Sequence, residues 1–221
     1  MVDVLNSRRD KKRVERKHQI LDAASSLFKV RGYEQTSIDD IAREADIARG
    51  TVFYNFESKE DIVFALRFRS VDEAKERALE QHAKGTPALQ CIESFLIEVG
   101  QWTEKNPELA EVLWRHGPVS AKRFLKTEVM DESITGAKSD RLNELKPPPG
   151  PPNLVPIELL ISAQKEKSMR ADVSPERMSH YINFILIHGQ MEWLRGDRKL
   201  PLDKHMLDEF KIVLEGLGAQ S

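Results

Sequence analysis

Residues 37–56 read SIDDIAREADIARGTVFYNF. Two short helical patterns, 38–45 and 49–55, are joined by only three or four residues around Asp46-Ile47-Ala48. The first offers Ile38, Ile41 and Ala42 to a core, and the second offers Val52 and Phe56. Ser37 followed three residues later by Asp40 has the form of a capping box, which marks where the first helix starts. A helix as short as 49–55 is unstable by itself. It must be held by packing on its partner, on the helix before it and on the long helix after it. Two helices joined this tightly leave the outer face of the second one free to enter a DNA major groove about 12 Å wide.

Working outward, a helical pattern begins at Val14. Ile20, Ala24, Leu27 and Phe28 share one face, and Gly32 closes the helix. On the other side, Ser58-Lys59-Glu60-Asp61 repeats the capping pattern and opens a long helix to His82, broken by Gly85-Thr86-Pro87. Further helices are predicted over 88–103, from Asn106-Pro107 to Gly117, over 119–145, over 156–168, from Ser174-Pro175 to Arg195, and over 203–217. Six prolines in 146–156 predict an extended loop there. No segment alternates as a strand would. The expected fold is all-α, with about nine helices. A three-helix DNA-binding domain with a helix-turn-helix precedes a larger helical ligand-binding and dimerisation domain. The expected boundaries are a flexible basic arm at 1–13, a DNA-binding domain at 14–66 with its motif at 37–56, and a regulatory and dimerisation domain at 67–221.

The chain has 221 residues and a net charge of -2, unevenly spread. Residues 8–18 hold seven Lys and Arg against two acidic residues, a local +5 that leaves -7 for the rest. A basic end on an acidic body suits a protein that touches DNA at one place. No apolar run approaches the roughly 18 residues of a membrane span, and the start carries no apolar leader. A lone cysteine, Cys91, permits no intrachain disulfide, so a reducing cytoplasm is expected. Six scattered histidines form no metal motif, and no nucleophile elbow or phosphate-binding glycine loop is present. No enzyme activity, metal or cofactor is therefore expected.

The residues on the outer face suit base reading. Arg49 can read guanine, and Thr51 can donate to a base or touch a thymine methyl. Tyr54 and Asn55 are placed for phosphate. Ser37 and Lys59 each stand at a helix N-terminus, where free N–H groups attract anions. The ordered set Ala24-x-x-x-Phe28, Gly32, Thr36-Ser37-Ile38, Asp40-Ile41-Ala42, Gly50-Thr51, Tyr54, Phe56 and Ser58-Lys59-Glu60 resembles the N-terminal domain of TetR-family transcriptional regulators. The resemblance covers about 47 residues, Ile20 to Leu66. It implies a dimeric, all-helical regulator, usually a repressor, that a small ligand in the C-terminal domain releases from a pseudo-palindromic operator. It also implies DNA contacts from Ser37, Thr51, Tyr54 and Lys59. Thr36, Arg49, Gly50 and Asn55 complete the expected DNA-binding set. The chain departs from the family at three places. Asp46 replaces a common turn glycine, Ala48 replaces a capping Ser or Thr, and Asn55 replaces a histidine.

The rest of the chain exceeds what DNA reading needs. Apolar stripes on 175–195 and 203–217 predict a four-helix contact between two copies through Tyr181, Phe184, Ile185, Leu207, Phe210 and Leu214. A partly apolar effector site is expected among Phe95, Trp102, Trp114, His116, His188 and Met191. The alternative to a ligand-responsive repressor is an architectural DNA binder with no operator. Its binding would depend on salt rather than on sequence.

Overall fold

The computed structural model describes residues 2–116 and 154–216. The predicted helix 119–145, Gly117, the proline-rich segment up to residue 153 and the end of the last helix at Leu217 lie outside these residues. The described residues form nine helices and no strand. They are α1 (Val2–Arg31), α2 (Ile38–Glu44), α3 (Arg49–Asn55), α4 (Lys59–Ala83), α5 (Ala88–Lys105), α6 (107–116), α7 (Ile157–Lys165), α8 (Pro175–Arg195) and α9 (Leu202–Glu215). The all-α class is as expected. At the N-terminus the structure differs from the expected flexible arm. Residues 2–13 continue α1 as helix, and the stretch contains no glycine or proline to stop it.

The chain divides into two compact units, 1–68 with 111–145, and 69–110 with 146–221. In the first, α1 packs on α2 and α2 on α3. Ile20, Ala24, Leu27 and Phe28 of α1 are buried, as are Ile41 and Ala42 of α2, Val52 of α3, and Ile62, Val63 and Leu66 of α4. The helical period read from the sequence selected those of α1, α2 and α3. The expected caps at Gly32, Ser37 and Ser58 are present. Gly32 closes α1 at φ 81°, with its N–H on the Phe28 carbonyl at 3.0 Å.

The second unit gathers α5, α7, α8, α9 and the end of α4 around one apolar core that includes Phe95, Leu96, Leu160, Ile182, Leu186 and Phe210. Helices α5 and α9 meet closely. A Cβ on Gly100 would stand 3.1 Å from Met206 Sδ and 3.4 Å from the Asp203 Cα. Three helix starts here lack a side-chain cap of their own, because Pro87, Pro156 and Pro201 occupy the N-cap positions, and two of them, α5 and α9, find an acceptor elsewhere. Distant carboxylates supply the acceptors instead. Glu166 accepts from the Ala88 N–H at 2.9 Å, and Glu104 accepts from the Leu202 N–H at 2.5 Å. Cys91 lies inside the core, where burial foremost and then the nearby Glu166 push its thiol pKa up.

Candidate nucleic-acid interface

The turn between α2 and α3 is built from backbone bonds. The Ile47 N–H reaches the Ala42 carbonyl at 3.0 Å, and the Asp46 N–H reaches the Arg43 carbonyl at 3.2 Å. This pairing closes a helix when the residue after its last turn is left-handed. Asp46 takes that place at φ 51°. Aspartate tolerates the conformation at modest cost, so the turn forms without glycine. Ala48 begins α3 with no side-chain cap, as its side chain dictates.

The entry to α2 is a complete capping box. The Ser37 hydroxyl accepts from the Asp40 N–H at 3.1 Å and donates to the Asp40 carboxylate at 2.5 Å, and the Ser37 N–H donates to the same carboxylate at 3.1 Å. Arg43 adds an ion pair at 3.1 Å and Arg31 a longer one at 3.8 Å. The Ser37 hydroxyl and N–H, followed by these two arginines, hold the Asp40 carboxyl below the usual carboxylate range. A phosphate arriving at Ser37 therefore meets a helix start that already holds an anion. Ser37 itself is exposed.

Lys59, the first residue of α4, is also committed. Its Nζ donates to the Tyr33 carbonyl at 2.8 Å and the Thr36 carbonyl at 2.9 Å, and it lies 3.9 Å from the Tyr33 ring centroid. The Tyr33 hydroxyl donates to Glu60 at 2.9 Å. Burial pushes the Glu60 carboxyl up, but hydrogen bonds from its own backbone N–H, Tyr33 and Ser58 outweigh that and leave it lowered. The start of α4 thus fastens the loop between α1 and α2.

The outer face of α3 carries Arg49, Gly50, Phe53 and Tyr54, all exposed. Tyr54 is 82% exposed. Thr51 is half-buried, and its carbonyl accepts from the Asn55 amide at 2.8 Å. Asn55 turns inward, with its Oδ1 buried. Thr36, also in the expected contact set, faces inward. It is 1% exposed, and its hydroxyl donates to the Gly32 carbonyl at 2.8 Å. A short hydroxyl one turn past a helix end finds that carbonyl before it finds solvent. Phe53 was absent from the expected set. Its position one turn after Arg49, on the same face, was the available signal.

Phe95, 1% exposed, belongs to the apolar core of the second unit. Trp102 and Met191 are partly buried, while His188 stacks on Phe184 at 5.3 Å and lies 3.8 Å from Glu192. Trp114 and His116 are exposed and belong to the first unit. Of the expected dimer residues, Ile185 and Phe210 are buried in the chain's own core, Leu207 and Leu214 are partly covered, and Tyr181 and Phe184 are exposed.

A family model described as "Bacterial regulatory proteins, tetR family" matches residues 20–66. The HTH-type transcriptional regulator HbdR of Aromatoleum sp. (strain CIB) is 40% identical over 71 residues, 32% of this chain and 31% of that protein. The chain thus aligns with about a third of that relative's length. The HTH-type transcriptional regulator AcrR of Shigella flexneri is 27% identical over 207 residues, 91% of this chain and 88% of that protein. Among solved structures, Thermus thermophilus FadR is a TetR-family transcriptional repressor crystallised with lauroyl-CoA. It superposes with a TM-score of 0.67 at 20% identity, covering 93% of this chain and 96% of that one. The capped α2, the turn through Asp46 and the exposed face of α3 fall within the matched residues, so residues 20–66 match the tetR-family model of bacterial regulatory proteins, with α2–α3 as the helix-turn-helix.

Proposed function

We propose that this protein is a cytoplasmic repressor. Two copies bind a pseudo-palindromic operator, and a small, partly apolar ligand in the second unit releases them. The observation that carries the reading is the outer face of α3. Arg49, Gly50, Phe53 and Tyr54 stand exposed together on a helix whose other side, at Val52, is fully buried. Two such helices one DNA turn apart, about 34 Å, match an inverted repeat. Arg49, Gly50, Thr51 and Tyr54 meet the operator, and Ser37, Asn55 and Lys59 set the height of α3 in the groove.

The second unit supports the ligand part of the reading. Its apolar core holds Asn183, 2% exposed, whose Oδ1 accepts from the Leu154 N–H at 3.1 Å and whose Nδ2 has no partner among the described residues. A buried donor left unpaired costs about 1–3 kcal/mol, and a ligand acceptor would recover it. Lauroyl-CoA, the ligand of the FadR relative, is the first probe.

The test is selection of random duplexes on the purified protein at near-physiological salt, followed by titration of the selected duplex with lauroyl-CoA. Enrichment of an inverted repeat, and its release by the ligand, is the expected result. Binding that ignores sequence and disappears as salt rises would replace this reading with that of an architectural DNA binder.

A further inference from the structure

Asp39 and Phe53 are left without a role by everything above. Asp39 is the second residue of α2, and its Oδ2 accepts from Arg49 Nη1 at 2.9 Å, across the turn between the two helices. Both side chains are more than half exposed, and an exposed ion pair contributes little stability. A carboxylate beside α3 also repels the phosphates that α3 must approach. Stability and simple DNA attraction therefore both fail to explain the pair. What the pair does is fix a direction. Arg49 is held on one side by Asp39 and lies over the Phe53 ring, 5.4 Å from Cζ to the centroid. Phe53 remains 43% exposed, so the guanidinium and the ring present one composite edge.

We propose that Asp39 is a positioning residue that aims Arg49, and that Arg49 and Phe53 together read a guanine beside a thymine. Arginine in a fixed plane donates to guanine O6 and N7, and an apolar ring covers the thymine methyl. Asp39 also withholds the guanidinium from phosphates, which lowers binding to unrelated DNA. The inference rests on the operator-reading function proposed above.

The test uses the duplex selected by the wild-type protein. Replacing the guanine by 7-deazaguanine removes the N7 acceptor and should cost about tenfold in affinity. Replacing the neighbouring thymine by deoxyuridine removes only the methyl and should cost about fourfold. Arg49→Ala should be blind to the first change and Phe53→Ala to the second. Asp39→Asn should bind a scrambled duplex about threefold more tightly, with a steeper salt dependence, while its preference for the selected duplex falls. A merely structural Asp39 would weaken both duplexes alike. A wild-type protein indifferent to both base changes, or an Asp39→Asn protein with unchanged preference, overturns the inference while the selected operator still stands. Failure to select any sequence overturns the operator reading itself, and this inference with it.

Discussion

Gly50 is a helical residue around which the protein leaves open space, since a Cβ built there meets nothing within 4 Å. Glycine inside a helix is less stable than alanine by roughly 0.5–1 kcal/mol. Nothing among the described residues requires that sacrifice, which fits the approach to DNA proposed above. Gly50→Ala should raise the melting temperature and weaken operator binding at the same time. A variant that gains stability and keeps its affinity would remove Gly50 from the interface. Lys59 presents the opposite case. Its ammonium spends two donors on the carbonyls of Tyr33 and Thr36. Lys59→Ala should therefore destabilise the first unit by about 1–3 kcal/mol. It should also weaken binding to all sequences alike, with a salt slope lower by about one unit. Thermal melts beside binding isotherms at several salt concentrations separate the two effects, and an unchanged melt would show that the clamp adds nothing to stability.

The elements were legible where their signals were local. The box at Ser37 and Asp40 and the closure at Gly32 each depend on residues within five positions of one another, and each was readable from spacing alone. The caps on α5 and α9 were not, because Glu166 and Glu104 lie 78 and 98 residues from the N–H groups they accept. The same limit explains Thr36 and Phe210. Spacing places both on plausible faces, but only packing decides which face is covered. The box at α2 also makes this element sensitive to acid. Asp40 is lowered in the folded chain from an ordinary value of 3.8, so its support is fully present above about pH 4. That support is lost as pH falls through the lowered value. An NMR titration of the Asp40 carboxyl should show a midpoint below 3.8, and Ser37→Ala should move that midpoint upward. An unmoved midpoint would mean that the hydroxyl does not hold the charge.

Assembly is a property of the whole molecule, and burial divides the expected dimer stripe in two. Phe210 and Ile185 face the chain's own core. Tyr181, Phe184 and Ile187 of α8 are left exposed, as are Ile212 and Val213 of α9. Scattered apolar residues on a surface need no explanation. Three at spacings of three along one helix, with two more on the helix packed against it, form a face that another copy can cover. Only that outer part is available to the twofold contact that the proposed operator binding needs. Phe184, 65% exposed, separates assembly from folding. Phe184→Glu adds a charge that a monomer tolerates in water but a buried contact does not. It should yield a folded monomer in sedimentation, with an unchanged helical spectrum and much weaker operator binding, because one α3 reads only half a site. Phe210→Ala removes a core ring and should cost about 3–5 kcal/mol of fold stability. Were Phe184→Glu to remain dimeric with full operator affinity, the twofold contact would have to be sought on a surface other than α8.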